Sequence, residues 1–122
     1  MRVLIVDGAN VVGSRPTGWW RDRAGAAQRL HRAIAGVDLG HDVVVLVLEG
    51  EARGGQAAGQ HGAVHTVHAP GSGDDAIVEQ VRARSACGDD VRVVTADREL
   101  RERVAAAGGS SLGPSWLLAR TS

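Results

Sequence analysis

Five carboxylates stand at points where the chain changes direction. Asp7 ends the apolar run VLIV of residues 3–6, Glu49 follows DVVVLVL, Asp74 and Asp75 open a segment after GSG, and Asp97 follows VVTA. Two carboxylates about 4 Å apart repel by roughly 4 kcal/mol at an effective dielectric near 20, so gathering several at one place calls for a cation. Oxygen donors with no matching Cys or His set favour Mg²⁺ or Mn²⁺ over zinc. Such an ion can ionise a bound water and neutralise phosphate oxygens during an in-line displacement, which is the chemistry of phosphodiester hydrolysis.

That chemistry requires a scaffold that brings distant segments to one edge. The β-branched runs RVLIV (2–6), DVVVLVL (42–48), AVHTVH (63–68) and VRVVT (91–95) read as strands. The segments 19–36, 74–86 and 97–107 read as helices, with Ala27, Leu30, Ile34 and Val37, and then Ile77, Val78 and Val81, at helical spacing. SSL (110–112) adds a short strand, and GPSWLLAR closes with a helix that has Pro114 in its first turn and Trp116 and Leu117 to pack it down. Strands apolar on both faces and separated by helices imply a three-layer α/β fold, with a central, mainly parallel sheet of four to five strands. Ligands of such sheets lie beyond the carboxyl ends of the strands, where strand order reverses. Asp7, Glu49 and Asp97 all fall at strand ends, and Asp74 and Asp75 begin the helix that leads to the fourth strand.

Each acid also has a purely structural reading. Asp7 could cap the turn after it, Ser72 with Asp75 resembles a capping box, and Asp97 could cap RELRERV. Their coincidence at one edge is what favours a shared cation. Asn10, just beyond Asp7, would orient a phosphate or water without adding repulsion, and Ser14 and Thr95 would help similarly.

All 14 cationic side chains are Arg and the formal net charge is zero, which argues against broad electrostatic adhesion to nucleic acid or membrane but leaves room for a local patch. Arg15, Arg21 and Arg23 follow the Asp7 segment directly and would hold a polyanionic backbone beside the acids. Trp19 and Trp20 lie between them; one could stack on an unpaired base, while at least one is expected in the core because the chain has no Phe or Tyr. Arg53, in the glycine-rich connection 50–62, could reach a phosphate, although a solvated loop is the plainer reading.

A length of 122 residues and an apolar content of 43% fit one folded domain, residues 1–122. The first apolar run is too short for a secretory signal or a membrane span, so a cytoplasmic location and no membrane partner are expected. Cys87 is alone and is expected to be a small buried hydrophobe.

DGANVVG, GSGDDAI and TADREL resemble the three acidic motifs of the NYN group of PIN-like ribonucleases, in particular its bacterial YacP-like branch, and the closing GPSWLL is similar too. The order and spacing agree over nearly the whole chain. The resemblance implies a Rossmann-like PIN fold and a metal-dependent endonuclease acting on RNA. It makes Asp7, Asp74 and Asp97 the metal ligands with Mg²⁺ or Mn²⁺, Asn10 the polar residue of the first motif, and Asp75 a neighbour of a ligand. Glu49, an auxiliary candidate ligand, departs from the pattern, in which many relatives have Asp. The expected partner is RNA, single-stranded by the aromatic argument, free or in a ribosome or other ribonucleoprotein.

The alternative is a PIN-like module that binds RNA or a ribosome without cutting. Other α/β readings fare worse. A receiver domain would need a late Lys, and the chain has none. A dinucleotide site would want G-x-G-x-x-G, where Asp7 would instead repel the pyrophosphate. A haloacid-dehalogenase-like phosphatase would need an acid at Ala9. His61, His65 and His68 invite a zinc site, but His65 and His68 fall on opposite faces of a strand.

Overall fold

The computed structural model describes residues 1–15 and 18–121. Its centre is β1 (Arg2–Asp7), which pairs in parallel with β2 (Val43–Leu48) on one side and with β5 (Asp90–Val94) on the other. Beyond β2 lie β4 (Val64–His68), parallel, and β3 (Gly59–His61), antiparallel; beyond β5 lies β6 (Ser110–Leu112), parallel. The sheet order is β3-β4-β2-β1-β5-β6, so the chain moves outward from β1 in one direction and later returns to its other side. The reversal falls between β1 and β5.

Alternation along the strands explains the three layers. Leu4, Val6, Leu46, Leu48 and Val94 face α1 (Gly8–Gly13), α2 (Arg23–Ala35) and α5 (Pro114–Thr121), where Val11, Leu30, Ile34 and Leu117 complete one core. Val3, Ile5, Val45, Val47 and Val93 face α3 (Gly73–Ala86) and α4 (Arg98–Ala106), where Ile77, Val81, Leu100 and Val104 complete the other. A side chain of this size contributes about 1.5–3 kcal/mol when fully buried, so a strand apolar on both faces is anchored twice. The continuous runs noted in the sequence arise from that double burial.

The four expected main strands, the three helices, β6 and the Pro114 helix are present, the first helix beginning only at Arg23. Trp19–Arg21 form a separate 3₁₀ turn, and Val37 lies beyond α2 at 36% exposure. The sheet has one strand more than expected. Residues 50–62, read as a patternless connection, contain a 3₁₀ turn (Gly50–Gly55) and β3, which returns through Gly62 at φ 62°, a conformation that costs glycine little. α1 is also additional: GANVVG has poor helix propensity, and the segment is held by the Asp7 cap and by burial of Val11.

Two core expectations are corrected. Cys87 is exposed, because it caps the C-terminus of α3 instead of lying on its apolar face. Neither Trp19 nor Trp20 enters the core: Trp19 is half-buried and Trp20 is 54% exposed. The aliphatic side chains of the two clusters fill that space. No helix among the described residues is long and apolar enough to cross a membrane.

Candidate functional site

The end of β1 carries the centre of the site. Asp7 is 5% exposed; its Oδ1 accepts the amide of Asn10 at 3.4 Å and caps α1, while its Oδ2 accepts the Thr95 hydroxyl at 3.0 Å. Thr95, fully buried just past β5, in turn accepts the amide of Asp97 at 3.2 Å. Asp97 Oδ1 accepts the Leu100 amide at 2.9 Å and so caps α4. Asn10 Oδ1 accepts the Ala96 amide at 2.8 Å, tying α1 to the same loop. The capping readings of Asp7 and Asp97 are therefore right, and both caps lie across the reversal of strand order. Gly8 permits this tight geometry, since a Cβ there would stand 2.7 Å from the carbonyl oxygen of Val47.

On the β2 side, Glu49 Oε2 accepts the amide of Gly73 at 2.8 Å, so this acid joins the end of β2 to the first turn of α3. A carboxylate at a helix N-terminus is favoured by the helix dipole. Ser72 caps α3 by accepting the Asp74 amide at 3.2 Å.

The electrostatics show that these acids share one neighbourhood. Burial pushes the Asp7 carboxyl up from 3.8 to about 6 against the pull of its Thr95 and Asn10 hydrogen bonds, with Asp74 and Glu49 repelling it further. Asp74 is raised as well, first by partial burial, then by Asp97 and Glu49. The donor chemistry fits a hard divalent cation: Asp74 has neither oxygen engaged among the described residues, and Asp97 Oδ2 and Glu49 Oε1 are also open. Among the described residues, no group of three or more His, Cys, Asp or Glu side chains is placed so that it could hold a metal ion. The arrangement is an open acidic cluster whose carboxylates are partly committed to helix caps.

The remaining sequence candidates divide. Asp75, expected beside a ligand, turns to α4 and pairs with Arg103 at 2.8 Å on the surface; it lies one helical step, about 100°, from Asp74 and, among the described residues, forms no reciprocal capping box. Arg53, which could have reached a phosphate, donates to Gly50 O at 3.0 Å and Ala69 O at 3.5 Å and so fastens its own turn. Ser14 donates to Val11 O at 2.6 Å and ends α1. Arg15 lines a separate cavity of about 170 Å³ with Arg29, between α1, α2 and α5. Arg21 lies over Trp20 at 5.8 Å, and Arg23 lies over Trp19 at 4.9 Å. Trp19, Arg23 and Glu49 line a cleft of about 310 Å³ next to Gly8. His68 Nε2 is hydrogen-bonded to Gln56 O at 2.7 Å.

Sequence reasoning missed Arg101, whose Nε donates to Thr95 O at 2.9 Å and fixes the strand end that presents the hydroxyl. Nothing in RELRERV (98–104) distinguishes it from a solvated helix arginine.

With this geometry the chain superposes on a solved structure, Rae1 (YacP) from Bacillus subtilis, with a TM-score of 0.78. The fold is shared. Identity is 19%, over 99% of this chain and 74% of Rae1. A point-mutant form of Rae1 gives a TM-score of 0.79 at 19% identity, over 99% of this chain and 75% of the other. No family model matches the chain, and no curated protein matches it in sequence. The likeness to Rae1 establishes the three-layer, Rossmann-like PIN fold.

Proposed function

We propose that this protein is a metal-dependent endoribonuclease that hydrolyses RNA phosphodiester bonds at the Asp7–Asp74–Asp97 cluster. The observation that carries the reading is the proximity of these acids at the strand-order reversal: Asp7, pushed up to about 6 chiefly by burial, is also repelled by Asp74 and Glu49, and Asp74 in turn by Asp97 and Glu49. Support comes from the three acidic motifs and from the fold shared with Rae1 (YacP), a namesake of the branch those motifs resemble. Asp7, Asp74 and Asp97 would hold Mg²⁺ or Mn²⁺, with Glu49 auxiliary. When bound, the ion supplies an ionised water and charge neutralisation at the scissile phosphate.

The chain's own groups do the positioning. Thr95 orients Asp7 by donating to Oδ2 and supports Asp97 through its amide, so one buried hydroxyl aligns two of the three acids. Asn10, whose Nδ2 makes no hydrogen bond among the described residues, has a donor to offer a phosphate oxygen or water. Arg23 supplies positive charge beside the cluster, and RNA, single-stranded, is the substrate class.

One observation favours a second reading, a PIN-like module that binds RNA or a ribosome without cutting: no three acids among the described residues converge, and Glu49 and Asp97 serve as caps. Incubating an end-labelled single-stranded RNA with the protein in Mn²⁺, and measuring binding in EDTA, separates the two. Cleavage abolished by Asp97→Asn supports the nuclease; binding in EDTA with no cleavage in Mn²⁺ or Mg²⁺ supports the module.

A further inference from the structure

The cleft beside the acids has the makings of a recognition site. At about 310 Å³ it is at the lower end of the ~300–1,000 Å³ typical of ligand pockets. Buried Ala27 and Leu48 form an apolar floor, half-buried Trp19 forms a wall, and exposed Arg23 and Glu51 stand at the mouth. Gly8 and Glu49 continue the lining into the acidic cluster, so the two sites are contiguous.

The indole is already placed. Arg23 lies 4.9 Å from the ring centroid, Trp20 meets it edge-on at 6.1 Å, and Gly13 lies beside it, where a Cβ would be in ordinary contact with Cζ2 at 3.5 Å. A pre-ordered aromatic surface loses little freedom on binding a planar partner. Neither Arg23 nor Glu51 forms an ion pair among the described residues, which leaves a cation and a pair of carboxylate acceptors at the mouth.

We propose that this cleft is a nucleobase pocket that accepts one unpaired base of the RNA strand and prefers guanine. This rests on reading the neighbouring acids as an RNA site. The apolar floor and Trp19 suit a flat heteroaromatic ring, and Arg23 suits the adjoining phosphate. Glu51 accepts hydrogen bonds only, so it selects a base edge bearing donors. Guanine presents two adjacent donors on its Watson–Crick edge, whereas uracil presents one.

The test is an amide NMR titration of the whole chain in EDTA with GMP, UMP and ribose 5-phosphate. GMP is expected to shift the Gly8, Gly50 and Gly71 signals and to bind more tightly than UMP, while ribose 5-phosphate leaves them unmoved. Trp19→Ala is expected to weaken GMP binding about five- to a hundred-fold, and Trp19→Phe to restore most of it. Ala9→Leu, which fills the cleft from the exposed side of α1, should give the same loss if Trp19→Ala does not fold. Equal shifts with ribose 5-phosphate, equal affinity for GMP and UMP, or full binding by the folded variants would overturn the proposal. RNA cleavage in Mn²⁺ without nucleotide shifts would overturn the pocket alone. Nucleotide shifts without cleavage would support the pocket and count against the nuclease.

Discussion

Replacing Asp7 with Asn should stabilise the metal-free protein, and by an amount that grows with pH. The carboxyl is 5% exposed and is raised from 3.8 to about 6, chiefly by burial. Because the folded state holds this proton more tightly than the unfolded one, its contribution favours folding fully below pH 3.8 and is lost as pH rises through about 6. A shift of roughly two units corresponds to about 3 kcal/mol, the cost of an ionised Asp7 at pH 7.5 relative to acid. Asn carries no charge and keeps one acceptor, so loss of one hydrogen bond, about 1 kcal/mol, offsets part of the gain. The variant should therefore match or fall slightly below wild type near pH 4 and exceed it by about 2 kcal/mol at pH 7.5. Urea unfolding in EDTA from pH 4 to pH 8 measures this directly. A difference between the proteins that does not change with pH would refute the account of Asp7 as a buried, repelled carboxylate. Adding Mg²⁺ above pH 6 should stabilise wild type and leave Asp7→Asn unmoved.

Other substitutions probe the same scaffold. Asp97→Asn should abolish RNA cleavage while urea stability stays within about 0.5 kcal/mol, because Asn caps a helix as well as Asp does. Asp75→Asn should leave both cleavage and stability nearly unchanged, since its pair with Arg103 is solvent-exposed; a large loss of activity in a cleavage assay would return it to the site. Glu49→Ala removes the acceptor at the Gly73 amide and should lower stability by roughly 1–2 kcal/mol in urea titration, with Glu49→Gln largely preserving it. Leu117→Ala, at a fully buried position where α5 meets the sheet, should lose about 2–5 kcal/mol in the same assay.

The sequence exposes those parts of the fold that repeat. β1, β2, β4 and β5 announce themselves because burial on both faces demands unbroken apolar runs, and α3 because Ile77, Val78 and Val81 recur on one side. α1 was hidden because its helicity comes from Asp7 and from tertiary contact, not from the propensities of GANVVG. β3 was hidden because three polar edge residues carry no period. At the candidate site, the strand-end rule pointed to Asp7, Glu49 and Asp97 and the helix start to Asp74, whereas the hydrogen bonds each of them makes were illegible. Glu49 joining α3, Asp75 turning to Arg103 and Arg101 bracing Thr95 all depend on side-chain direction, which spacing along the chain does not encode. Cys87 shows the same limit, since one residue past a helix separates core from solvent.

The bond between the Thr95 hydroxyl and Asp7 spans 88 positions of sequence. A nascent or partly unravelled chain in which β5 has not reached β1 therefore has no assembled constellation of acids at all. Assembly of the cluster and completion of the sheet are therefore a single event.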